Sequence, residues 1–133
     1  MNNPIKILIV DDELLITGTL ETILQCYGYK ATSVNNGYSA LNAVRSEHFH
    51  IALVDIGMPE MNGIELMAEL RRLGAHTRIV LMTAYDKYHL LVKQAIAAKP
   101  DKLLYKPIDP ATLVEIINYY ERIFECTGPP SIE

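Results

Sequence analysis

Tryptophan is absent from this 133-residue chain, and phenylalanine and cysteine occur only twice each. Cys26 and Cys126 are far apart, with no further cysteine and no histidine at metal-ligand spacing. That excludes a disulfide framework or a cysteine-based zinc site and leaves two reduced, structural thiols. No apolar run approaches the roughly 18 residues that cross a bilayer. The amino terminus lacks a basic segment followed by an apolar core. A soluble, cytoplasmic protein that makes no use of a membrane is therefore expected. Positive charge is also scarce, with 12 Lys and Arg against 16 Asp and Glu for a net charge of -4. Without clustered basic residues, direct nucleic-acid binding by this domain is disfavoured.

Half of the residues are hydrophobic, and 133 residues suffice for one core but not for two. Short β-branched runs near 5–10, 30–34, 51–54, 79–82 and 102–105 read as strands. Segments of helical period alternate with them. Leu15, Leu20, Ile23, Leu24 and Tyr27 suit a first helix, Ala40, Leu41 and Val44 a second, and Ile64, Met67, Leu70 and Arg71 a third. A fourth is expected over about 85–98. In the fifth, Leu113, Ile116, Ile117, Tyr120, Ile123 and Phe124 form a stripe that starts just after Pro110, a favoured first-turn residue. Gly128, Pro129 and Pro130 stop it, so residues 1–126 form the domain and 127–133 a tail or the start of a linker. Such alternation predicts an α/β, doubly wound, five-stranded parallel sheet whose functional crevice lies beyond the carboxyl ends of the strands.

Four strand ends each deliver a polar group to that crevice. Asp11, Asp12 and Glu13 follow the first run, Asp55 the third, Thr83 the fourth and Lys106 the fifth. Taken singly, the acids could start a helix, the threonine could cap one, and the lysine could be solvated. Together they form a constellation. Clustered carboxylates repel and need a cation. Lys106 is one candidate and a hard divalent ion the other: Mg2+, with Mn2+ as a substitute, on Asp12 and Asp55 and the Gly57 carbonyl, with Asp11 acting through a bound water. Phosphoryl transfer needs an in-line nucleophile and positive charge around the phosphoryl oxygens. Asp55 can be that nucleophile, Lys106 can neutralise charge, and the Thr83 hydroxyl can bond a phosphoryl oxygen.

The acidic cluster, the run Asp55-Ile56-Gly57-Met58-Pro59, the strand-end Thr83 and Lys106-Pro107 together resemble the receiver domain of two-component response regulators, over roughly residues 4–126. The resemblance implies a flavodoxin-like (CheY-like) fold with strand order 2-1-3-4-5, for which a chemotaxis regulator of this family is a standing example. It implies that Asp55 accepts a phosphoryl group from a sensor histidine kinase or phosphotransfer protein, acting as a phosphoacceptor rather than a conventional enzyme. A cis peptide at Lys106-Pro107 is implied too. So is a switch in which phosphate draws Thr83 inward and a side chain of the last strand changes rotamer to control an effector or output domain.

Two departures bear on that switch. Leu103 stands where the family usually has Tyr or Phe, and Lys99-Pro100 stands where Gly-Ala is common. A leucine cannot swing a ring, and the proline stiffens the end of the fourth helix. Gly57 and Tyr85, two residues beyond the acceptor and the threonine, are candidates for tuning phosphate lifetime. Tyr88, His89, Leu91, Val92, Tyr119 and Tyr120 are candidates for a homodimer surface on the fourth and fifth helices. His48, His50, His76 and His89 share no helical face and read as surface or packing residues, and Gly63 as a conformational glycine.

Rival readings fit less well. A haloacid dehalogenase-type phosphohydrolase needs a second acid where Gly57 stands, and a flavodoxin-like cofactor binder needs an uncharged phosphate loop where Asp11-Asp12-Glu13 stands. A phosphate-independent interaction module on the same fold is the alternative that Leu103 supports. The chain is expected to be either a stand-alone regulator or a receiver whose effector lay beyond Pro129-Pro130.

Overall fold

The structure, a computed structural model, describes residues 4–127, with side chains through Glu125. Gly128, Pro129, Pro130 and the rest of the expected tail lie outside the described residues, as does the Cys126 side chain. Five strands alternate with five helices: β1 Lys6–Val10, α1 Leu14–Cys26, β2 Lys30–Val34, α2 Gly37–Ser46, β3 Ile51–Asp55, α3 Gly63–Arg72, β4 Arg78–Thr83, α4 Leu90–Ala97, β5 Lys102–Tyr105 and α5 Pro110–Thr127. All pairings are parallel and the order is β2-β1-β3-β4-β5. This is the α/β, doubly wound arrangement expected from the alternation.

Strand side chains alternate between two cores. Leu8, Val10, Ala52, Val54, Ile79 and Leu81 pack with residues of α2, α3 and α4, while Ile7, Ile9, Ile51, Leu53, Val80 and Met82 pack with α1 and α5. The central strands are buried on both faces, which is why they read as unbroken apolar runs. The α5 stripe faces its core as the periodicity predicts, with Leu113, Ile117 and Tyr120 buried. In α1 the buried face is Thr17, Leu20 and Leu24, whereas Leu15 and Tyr27 are 87% and 60% exposed. Leu15 lies off the Thr17-Leu20-Leu24 face, and Tyr27 follows the last turn as the C-cap.

The fourth helix is shorter than expected, Leu90–Ala97 rather than about 85–98. Side chains compete for its would-be first turn. Thr83 Oγ1 accepts from the Tyr85 N–H at 2.9 Å, Asp86 Oδ1 accepts from the Tyr88 N–H at 2.9 Å, and the helix begins only where His89 Nδ1 accepts from the Leu91 N–H at 3.1 Å. At the other end Lys99 is left-handed at φ 56° before Pro100. The Arg71 guanidinium donates to the Ala98 and Lys99 carbonyls at 2.8 and 2.6 Å, tying α4 to α3. α5 includes Thr127, one residue into the segment read as tail. Among the described residues no helix is long and apolar enough to cross a membrane.

Candidate functional site

Because every strand is parallel to its neighbours, β1, β3, β4 and β5 end on one edge of the sheet. The register aligns Val10 with Val54, Asp55 with Met82 and Thr83 with Tyr105. The crevice lies where the order reverses, with β1 leading to β2 on one side and β3 leading to β4 on the other. Asp11 continues β1 by donating its N–H to the Val34 carbonyl, and its side chain is fully buried. Its Oδ1 accepts from the Glu13 N–H at 3.0 Å, and its Oδ2 accepts from Lys106 Nζ at 2.7 Å. Asp55 is the last residue of β3 and 7% exposed, with Oδ1 3.2 Å from the same ammonium. Glu13 reaches it only loosely, at 3.8 Å.

Lys106 follows β5 through a cis peptide to Pro107, and its N–H donates to the Thr83 carbonyl at 2.7 Å. Thr83 is fully buried, and its hydroxyl oxygen accepts from Tyr85 and so keeps its proton to donate. Lys106 is thus in direct contact with Asp11 and Asp55 and is bound to Thr83 through the backbone.

The carboxylates of Asp11, Asp12 and Asp55 offer oxygens within 4.8 Å of one another. One ammonium cannot balance three carboxylates. Burial pushes the Asp55 carboxyl above its ordinary range, and the Asp11 charge adds to this, while Lys106 and the Gly57 N–H oppose it. Burial also works against the Lys106 ammonium, but hydrogen bonds and charge from Asp11 and Asp55 outweigh it and hold its pKa above the usual value. Lysine is therefore charged at neutral pH, and the acids retain excess negative charge. Oxygen-only donors with that excess suit a hard divalent cation, and the donor set fits Mg2+.

The loop after Asp55 is packed rather than free. Ile56 and Met58 are buried, and Asn62 with Glu65 forms a reciprocal capping box at 2.9 Å in both directions. Gly63 opens α3 so close to β3 that a Cβ there would lie 2.5 Å from the Asp55 carbonyl oxygen. Its conformational role is thus one of approach. Gly57 is exposed and leaves room above the site: a Cβ on it would touch the Tyr85 hydroxyl at 3.5 Å and Asp55 Oδ2 at 3.8 Å. Tyr85 and Asp55 Oδ2, the oxygen that Lys106 does not bind, thus both border the space above Gly57.

Leu103 is half-buried, packs on the α2–α4 side and pairs with Leu81, while Tyr105 pairs with Thr83 and is 45% exposed. Of the dimer candidates, Val92 and Tyr120 are core residues and are corrected accordingly, whereas Tyr88 and Tyr119 are exposed. His48 and His76 are on the surface, and His50 packs against Phe124. His89, expected as a surface or packing residue, is exposed, and its ring stacks on Tyr85 with centroids 3.9 Å apart and planes 9° apart. Arg71 is exposed on α3, and an exposed arginine gives no sequence sign of the carbonyls it caps.

The fold and the acidic crevice at its strand ends define a doubly wound α/β domain, and residues 7–118 match the response regulator receiver domain family. The chain belongs to that family and is a receiver domain of two-component systems. Similar proteins include the transcriptional regulatory protein ZraR of Klebsiella oxytoca, 35% identical over 79% of this chain and 24% of ZraR. The chain thus spans about a quarter of the length of the first curated relatives it matches. The chemotaxis protein CheY of Thermotoga maritima is 31% identical over 85% of this chain and 94% of CheY. Among solved structures, a CheY-like receiver domain protein from Methanospirillum hungatei is 29% identical and superposes with a TM-score of 0.85 over 95% of this chain and 100% of that one. The response regulator TrrA of Thermotoga maritima, in complex with Mg2+-BeF, is 32% identical with a TM-score of 0.75, covering 87% of this chain and 98% of its own.

Proposed function

We propose that this domain accepts a phosphoryl group on Asp55 from the phosphohistidine of a sensor kinase or phosphotransfer protein and, so modified, changes its contacts with an effector or output domain. The observation that carries the reading is the convergence of a buried strand-end carboxylate, a charged lysine 3.2 Å from it and two further acids at the switch point of the sheet. In the transfer, an Asp55 oxygen forms the new P–O bond while the P–N bond to the donor imidazole breaks and the imidazole nitrogen keeps the electron pair, to be reprotonated from solvent. Lys106 screens the phosphoryl oxygens as charge develops, and the Thr83 hydroxyl donates to one of them. Asp12 and Asp55, the Gly57 carbonyl and, through water, Asp11 would hold Mg2+ or Mn2+, which supplies further positive charge to the phosphoryl oxygens.

Acting on its own acyl phosphate, the domain assists its phosphorylation and dephosphorylation and is not a conventional enzyme. Tyr85, above Gly57, shields the acceptor from water and slows hydrolysis. Movement of Thr83 toward a phosphoryl oxygen carries residues 84–89 with it, because Tyr85 hangs on that hydroxyl at 2.9 Å. Leu103 contributes packing to the switch and no ring motion. Tyr88 and Tyr119, both exposed, are the residues through which a second copy would meet the α4–α5 face.

Beryllium fluoride, a tetrahedral mimic of the phosphoryl group, tests the site without turnover. Added with Mg2+ it should raise the melting temperature, by about 2.7 kcal/mol of stabilisation at a hundredfold excess over Kd. Either component alone should do far less, and Asp55→Ala should abolish the joint effect. A joint effect that survives in Asp55→Ala would remove Asp55 as the acceptor.

A further inference from the structure

The pairing of Tyr85 with His89 assigns a role that neither residue has alone. Tyr85 is only 38% exposed although it lies in a surface loop, because its hydroxyl end turns inward over Gly57. A single backbone bond to Thr83 fixes the start of that side chain, and nothing in that bond fixes the ring. The His89 imidazole does: it lies flat against the phenol, 3.9 Å away and 9° from parallel. His89 is held in turn by its Nδ1, which accepts from the Leu91 N–H at 3.1 Å and locks the ring as the N-cap of α4. α4 is anchored at its far end to α3 by Arg71. A continuous set of contacts therefore runs from a fixed helix, through the imidazole face, to a phenol whose hydroxyl end borders the space above Gly57 that Asp55 Oδ2 also faces.

We infer that His89 is a positioning residue for the phosphoacceptor site: by stacking, it holds Tyr85 over Gly57 and so prolongs the life of the phosphorylated state. The inference rests on Asp55 being the acceptor. Its particular content is that the stack, and not the helix cap, carries the effect. Stacked aromatic pairs favour parallel, offset contact, and restricting Tyr85 to one rotamer removes the states in which water has a free path to the site.

Two substitutions separate stack from cap. His89→Asn keeps an N-cap acceptor and loses the ring, while His89→Phe keeps a stacking ring and loses the acceptor. Each variant, with wild type, Tyr85→Ala and the double variant Tyr85→Ala/His89→Asn, is loaded with acetyl phosphate and Mg2+. The donor is removed and the fraction phosphorylated is followed by intact mass. We expect His89→Asn and Tyr85→Ala each to shorten the half-life about fivefold, the double variant to match Tyr85→Ala, and His89→Phe to stay near wild type. A His89→Asn half-life equal to wild type, or a His89→Phe half-life as short as that of His89→Asn, overturns the inference while leaving Asp55 as acceptor. An unchanged half-life in Tyr85→Ala overturns it as well. Failure of wild type to gain a phosphoryl group overturns the inference and the acceptor reading together. Both side chains are exposed or nearly so, and melting curves of the variants check that each is folded.

Discussion

Asp55 combines a stability cost with a chemical use. The side chain is 7% exposed, faces Asp11 and titrates above the ordinary carboxylate range for both reasons. Its ionised form therefore disfavours the fold. Sites of this kind trade stability for activity, so Asp55→Asn should stabilise the metal-free domain by about 1 kcal/mol in urea unfolding with a chelator present. Adding Mg2+ should narrow the difference, since wild type gains more from the ion than the variant. A less stable Asn variant in chelator would mean that the contact with Lys106 outweighs the repulsion. At this scale much of the site was legible beforehand. Asp11, Asp12, Asp55, Thr83 and Lys106 each follow an apolar strand run, and parallel pairing alone gathers such positions. His89 and Arg71 were not legible in the same way. Their partners are an aromatic face and two carbonyls, and neither contact leaves a pattern in polarity.

Elements differ in how far local chemistry decides their limits. The central strands β1, β3 and β4 came close to their expected bounds because burial on both faces leaves long apolar runs. Five residues of the expected α4 instead form turns, since Thr83, Asp86 and His89 offer side-chain acceptors to the backbone N–H groups a first helical turn would leave unbonded. The same helix ends on a left-handed Lys99 whose carbonyl Arg71 binds. Arg71→Ala should thus lower stability by about 1 kcal/mol and speed amide exchange near the α4 terminus more than in α5. Uniform protection in the variant would show that α4 needs no tie to α3.

A second prediction concerns the opening of β3. There His50 Nδ1 accepts from the Lys6 N–H at 3.0 Å, and the His50 N–H donates to the Lys6 carbonyl at 2.9 Å. Burial lowers the imidazole pKa below 6.5, helped by His48 and Lys6. Only the neutral ring can accept that bond. The stability it gives is complete above the unfolded value near 6.5 and is lost as pH falls toward the folded value. The loss should be at most about 1 kcal/mol for a half-buried ring, and a His50→Gln variant should lack this pH dependence. Equal pH dependence in the two proteins, measured by urea unfolding on either side of that value, would assign the effect elsewhere.

For the whole molecule, topology follows from pattern more readily than function does. Strand-helix alternation, central strands with polar residues only at their ends and short connections leave few arrangements, and the observed order β2-β1-β3-β4-β5 is one of them. The family carries the fold as expected, and the proposed route from site to surface runs through the Tyr85–His89 stack. Such a route depends on which ring meets which, and that is a property of packing rather than of spacing.

The central claim is that Asp55 receives the phosphoryl group, and the most direct measurement is intact mass after incubation with acetyl phosphate and Mg2+, in wild type and in Asp55→Ala. The account predicts the mass of one added phosphoryl group in wild type, its absence in the variant, and its absence from wild type when a chelator replaces Mg2+. No gain in wild type under conditions where Mg2+ binding is seen independently, or an equal gain in Asp55→Ala, would contradict it.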